Sequence, residues 1–222
     1  MYIILSRKTQ GTPFPYPTNC LIKKFVSEFS GVNNCIIACP GYMSTSKEKI
    51  KKFCSEFQEM LPNTQISFTT GQNGNNKING GETTIIDEHI KHLRINKIDL
   101  SKDHSKIIFF INNDNGSIIN NNGLVQSGNL SADKINAVLF GSSNLSWTTY
   151  FNDAKPADKG EFDALLIDEK LFNNDDNKIL AFYKELSDEY YINRQEKGAF
   201  ILSKELGWKI NLLDYWLEFI NK

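Results

Sequence analysis

Excess charge of either sign is the first thing this chain lacks. Its 25 Lys and Arg stand against 26 Asp and Glu, for a formal net charge of -1. That near-balance argues against a strongly basic nucleic-acid coat. It leaves room for a local basic groove, because phosphate contacts depend on where charges lie. No apolar run approaches the ~20 residues of a membrane-spanning helix. The opening Met1-Tyr2-Ile3-Ile4-Leu5-Ser6-Arg7-Lys8 has too short an apolar run for a signal peptide and no basic leader. A soluble, cytoplasmic protein without membrane contact is the expectation. Cysteine is also scarce: Cys20, Cys35, Cys39 and Cys54 all fall in the first quarter of the chain. Only Cys35 and Cys39 are close, with no nearby His, so reduced thiols packed as small hydrophobes are expected rather than zinc. Disulfides do not suit a cytosolic protein.

What is present is a chain of 222 residues with 40% hydrophobic content, enough for a proper core in one large domain or a domain with a small appendage. Apolar runs of strand length cover Tyr2 to Leu5, Asn34 to Ala38, Gln65 to Thr69, Ile107 to Ile111, Asn136 to Phe140 and Phe162 to Ile167. Helical periodicity marks a segment from Thr18 or Asn19, either of which can cap it, to about Ser30. It marks others over Ser44 to Leu61 (Ile50, Phe53, Phe57 and Leu61 inward), Thr83 to Leu93, Asp175 to Tyr190 and Leu212 to Ile220. The Pro-rich stretch from Gln10 to Asn19 and the Gly-Asn stretch from Gly71 to Gly81 read as loops. Strands alternating with helices predict an α/β fold with a mixed sheet flanked by helices on both faces. His89 and His92 are three apart on a predicted helix, but no third ligand accompanies them and no metal is expected.

Two short segments carry chemistry. His104-Ser105-Lys106 precedes the run Ile107 to Ile111, and Gly141-Ser142-Ser143-Asn144 ends the run that reaches Phe140. On a strand, His104 and Lys106 point to one face. An imidazole can attack phosphorus, an ammonium can balance phosphoryl charge, and Ser and Asn can donate to its oxygens. A lone His before a strand is usually a surface residue, and a lone Gly-Ser-Ser-Asn is usually a turn. Their ordered combination, followed by an acidic strand start at Gly160-Glu161-Phe162-Asp163, is much rarer. Glu161 and Asp163 share one face of that strand.

These residues resemble the signature of the phospholipase D superfamily, His-x-Lys followed by Gly-Ser-x-Asn, over roughly His104 to Ile167. The usual Asp five residues after the Lys is replaced by Ile111, with Asn112 and Asp114 nearby. The interval to Gly141 is long and holds Asn-Gly pairs, which read as an inserted hairpin or loop. The resemblance implies a phospholipase D-like sandwich, with residues 1–170 as the catalytic domain and 171–222 as a helical segment packed on it. It implies His104, Lys106, Asn144 and Glu161 as catalytic residues. Ser142, Lys106 and Asn144 bind phosphate, and Asp163 is the alternative acid. A single His-x-Lys resembles the homodimeric members, in which two subunits each supply half of the site. No cofactor is implied.

The expected function is therefore a metal-independent DNA endonuclease of the restriction-enzyme type that works through a phosphohistidine, with RNA as an alternative substrate. A phospholipase would need an apolar acyl site and membrane contact, and no basic amphipathic helix supports one. A non-catalytic nucleic-acid-binding relative would have no use for a histidine nucleophile. Tyr42, Trp147 and Tyr150 are candidate substrate contacts, with packing as the competing role for each.

Overall fold

The alternating apolar runs build one nine-stranded sheet among the described residues. The structure, a computed structural model, describes residues 1–8, 11–12, 14–29, 35–40, 47–72, 83–84, 93–99, 106–112, 118, 129, 131–142, 150–151, 160–194 and 199–204. The strands are β1 (Tyr2–Lys8), β2 (Cys35–Pro40), β3 (Gln65–Gln72), β4 (Thr83–Thr84), β5 (Leu93–Asp99), β6 (Lys106–Ile111), β7 (Ile135–Gly141), β8 (Glu161–Ile167) and β9 (Phe200–Lys204). The helices are α1 (Pro17–Glu28), α2 (Lys47–Met60) and α3 (Asp176–Arg194). Strand order is β4-β5-β3-β2-β6-β7-β8-β1-β9, which makes β6 the middle strand. The β2–β3 and β3–β5 pairs are parallel and the others antiparallel, so the sheet is mixed as expected.

The largest buried cluster lies on one face of this sheet, and Leu5 and Ala164 on the other face are buried as well. Tyr2, Ile4, Ile108, Phe110, Ala137, Leu139, Leu165 and Ile167 alternate along their strands and join a single buried cluster. Strands β1 and β2 run the same way, as do β2 and β3, and both connections cross the sheet in the same direction. A common right hand puts α1 and α2 on the same face. Phe25 of α1 meets Phe110 of β6 at 5.1 Å and Phe182 of α3 at 6.5 Å between ring centroids, which brings α3 alongside. Phe53 and Phe57 of α2 pack on Tyr150 at 6.0 and 6.4 Å. Edge-on and tilted contacts of this kind add about 0.5–1.5 kcal/mol per pair beyond burial. Cys54 is fully buried in the same cluster, and burial pushes its thiol up, so it packs as a small hydrophobe. No helix among the described residues is long and apolar enough to cross a membrane.

The structure corrects several expectations. Thr83 to Leu93 is not one helix: Thr83 and Thr84 pair antiparallel with Arg94 and Leu93, and Leu93 opens β5. The stretch after residue 170 is not helical throughout, because β9 pairs with β1. On α3, Ile179, Phe182 and Leu186 turn inward and Leu180 is 52% exposed. The helix expected over Leu212 to Ile220 lies outside the described residues. So do most of the Asn-rich insertion, and His89 and His92.

Neither Thr18 nor Asn19 caps α1. Tyr16 holds the N-cap position with no side-chain cap, and Pro17 starts the helix. Proline suits that position because the first N–H groups of a helix have no intrahelical partner. Thr18 and Asn19 instead point into the fold, as described below.

Tyr2 tests the packing of α3. Its hydroxyl donates to Asp176 Oδ1 at 2.7 Å. Burial, then that hydrogen bond, push the phenol from 10.0 up to about 12. The neutral phenol therefore contributes stability that is complete below pH 10.0 and is lost as pH rises through about 12. Tyr2→Phe should cost ~1 kcal/mol at neutral pH. It should lose less stability than wild type above pH 10.0, measured by urea unfolding across the alkaline range.

Candidate active site at the ends of β6, β7 and β8

On four neighbouring strands the inward face turns from apolar to polar at the same end of the sheet. In β6 the change is from Phe110 and Ile108 to Lys106, and in β7 from Leu139 to Gly141. In β8 it runs from Leu165 to Asp163 and Glu161, and in β1 from Ile4 to Ser6 and Lys8. Register aligns these positions. Gly141 lies opposite Asp163, Asp163 opposite Ser6, and Ser6 opposite Phe200. Lys106 lies opposite Pro40 of β2, and the β6–β7 register, continued by one residue from Ile107 and Phe140, sets it opposite Gly141. Strands spaced ~4.8 Å apart put the Lys106 and Asp163 backbones roughly 10 Å apart, with Gly141 between them. Glu161 and Lys8 face each other one step further toward the sheet end. Lys106 is half-buried.

Asp163 forms the floor of this region. It is 2% exposed, and its Oδ2 accepts from Thr18 Oγ1 at 2.7 Å. Thr18 Oγ1 is also 2.9 Å from Ser6 Oγ. Since the Thr18 proton goes to Asp163, Ser6 is the donor in that second bond. Asp163 Oδ1 leans over Gly141, 2.2 Å from where a Cβ would stand. The carboxylate thus fills the space a side chain at 141 would take.

Glu161 lies nearer the surface. Its Oε2 pairs with Lys8 Nζ at 2.7 Å, with the two side chains 16% and 9% exposed. Lys8 Nζ also sits 4.5 Å from the centre of the Tyr16 ring, a cation–π contact. Ser142 closes the β7–β8 edge. Its N–H donates to the Phe162 carbonyl at 2.9 Å, its hydroxyl donates to the same oxygen at 3.2 Å, and that hydroxyl accepts from the Phe162 N–H at 3.0 Å. In this arrangement the one hydroxyl proton serves the β8 backbone. Holding a phosphate oxygen requires it to rotate away.

Of the residues expected at the site, Lys106, Ser142, Glu161 and Asp163 come to one end of one sheet. His104, Asn144, Tyr42 and Trp147 lie outside the described residues. Tyr150 is a core residue: it is buried against α2, and its backbone carbonyl accepts from Asn19 Nδ2 at 2.8 Å. Burial, then the nearby charges of Asp163 and Glu161, push its phenol up. Lys8, Thr18 and Ser6 were missed in the sequence. The available signal for two of them was the alternation Tyr2, Ile4, Ser6, Lys8, whose buried face turns polar at its end. Among the described residues no cluster of His, Cys, Asp and Glu is arranged to hold a metal.

No family model matches the chain, and no curated protein matches it. Among solved structures, a polyphosphate kinase from Porphyromonas gingivalis is similar over 78% of this chain and 22% of that chain, at 10% identity and a TM-score of 0.33. This chain therefore spans well under two thirds of that protein, and a likeness at this level carries no argument.

Gly141 provides a direct test of the close approach. A methyl group there would also stand 2.4 Å from the Phe162 carbonyl oxygen and 2.6 Å from the Asp163 Cα, both backbone atoms. Gly141→Ala should therefore lower unfolding stability by about 3 kcal/mol, the upper part of the range for overpacking. Urea denaturation monitored by tryptophan fluorescence measures it.

Proposed function

We propose that this chain is a metal-independent phosphodiesterase that hydrolyses nucleic acid, a DNA endonuclease of the restriction-enzyme type working as a homodimer. The observation that carries this reading is the gathering of Lys106, the Gly141-Ser142 turn and the carboxylates of Glu161 and Asp163 on one face at one end of three adjacent strands. In the sequence His104 is two residues before Lys106 and Asn144 two residues after Ser142.

In this scheme His104 of one copy attacks phosphorus. The bond to the leaving oxygen breaks, and that oxygen takes a proton from the imidazolium of the second copy's His104. The second ring, now neutral, takes a proton from water, whose oxygen displaces the phosphohistidine and frees the first ring. Lys106 and Asn144 hold the nonbridging oxygens, with Ser142 as a further donor. Lysine supplies the charge that a divalent ion supplies in other phosphodiesterases. Glu161 orients the histidine, with Asp163 as the alternative.

The test is cleavage of plasmid and single-stranded DNA in EDTA by wild type and His104→Ala. Wild type should cleave, and His104→Ala should lose at least about 10³-fold in kcat. Cleavage that requires added Mg²⁺ would overturn the mechanism. Absence of cleavage on DNA and RNA would shift the weight to a lipid phosphodiester or to a binding role.

A further inference from the structure

We infer that Lys8 is a positioning residue for Glu161, an inference that rests on the phosphodiesterase reading. The Lys8 side chain is 91% buried by its 9% exposure, and its ammonium is held between the Glu161 carboxylate at 2.7 Å and the Tyr16 ring at 4.5 Å. A pair this buried is a poor device for stability, because desolvating two charges offsets most of their attraction. A well-packed apolar pair of the same volume would hold β1 to β8 as well or better. The ionic pair does something an apolar pair cannot: it fixes one carboxylate in one orientation. That carboxylate lies at the polar end of the core face, one step along β8 from Asp163, whose Oδ1 leans over Gly141 of β7.

The rest of the setting supports the same role. Tyr16 is 3% exposed and begins the turn into α1, so the ring under Lys8 is itself immobile. Thr18, two residues on, anchors that helix start to Asp163. The two acids of β8 are thus held by different devices from neighbouring elements. Asp163 is held by a neutral hydroxyl in the floor, and Glu161 by a cation near the surface. Lys8 has most of its surface covered and its charge engaged, so its effect on the reaction passes through Glu161 rather than through contact with substrate.

A double-mutant cycle on DNA cleavage in EDTA tests this, using Lys8→Met, Glu161→Gln and the pair together. Lys8→Met should lower kcat about 10- to 100-fold, the scale of misplacing a catalytic group by an ångström, with KM within about twofold of wild type. The double variant should be no slower than Glu161→Gln alone, because both changes disable one unit. Lys8→Arg should recover most of kcat. Where Lys8→Met does not fold, Lys8→Gln takes its place in the cycle. Additive losses, a raised KM at unchanged kcat, or full activity of Lys8→Met would overturn the inference while leaving the phosphodiesterase reading intact. Wild type inactive on every nucleic acid would overturn that reading, and this inference with it.

Discussion

A buried carboxylate governs the arrangement of this protein. Asp163 is 2% exposed, and a charge so placed costs several kcal/mol unless it is bonded. Thr18 donates to it, Ser6 supports Thr18, and the missing side chain at Gly141 makes room for its second oxygen. These residues come from β8, α1, β1 and β7. Satisfying one carboxylate therefore ties together three strands and a helix start. The cost is visible at that helix start. Thr18 and Asn19 are of the types that cap helices, yet both are turned inward, and α1 begins with proline and no side-chain cap.

The core and the candidate site are two ends of the same surface. Alternation along the strands gives the sheet a buried face, and the aromatic residues of α1, α2 and α3 cover it. At one end the apolar residues give way to Lys106, Gly141, Asp163, Glu161, Ser6 and Lys8. Charges at the margin of a packed core act across a lower dielectric than charges on open surface. They are also held by the rigidity of the sheet, which places groups more precisely than a loop does. The two acids of β8 illustrate how burial separates roles. Asp163 lies in the floor against helix and turn, and Glu161 lies closer to solvent with Lys8.

Much of the fold was legible in the chain. Six runs of β-type residues form strands, because a short run of Ile, Phe, Leu and Val is legible without knowledge of neighbours. Helices α1, α2 and α3 were found from the spacing of Phe25, Phe53, Phe57, Phe182 and their partners. Strand β5 was missed because Leu93-Arg94-Ile95-Asn96-Lys97-Ile98-Asp99 carries few apolar residues and takes its strand form from pairing with β3. Strand β9 was also missed, although Phe200-Ile201-Leu202 is an apolar run; its five residues pair with β1. The helix expected over Thr83 to Leu93 fails at its ends, where Thr83 and Thr84 pair with β5 and Leu93 opens that strand.

The residue types alone determined that this chain forms a mixed α/β sheet, and that a lysine, a Gly-Ser turn and two acids stand at strand ends. Local sequence suffices for that, since alternation and turn chemistry act over a few residues. Only the tertiary structure decided which strands are neighbours and which ends meet. It placed Lys106 on the middle strand, set Gly141 opposite Asp163, and joined Lys8 to Glu161 and Thr18 to Asp163 across more than 140 residues of chain. Such partnerships are made by the closing of a sheet and the docking of a helix, and no spacing within a short segment encodes them.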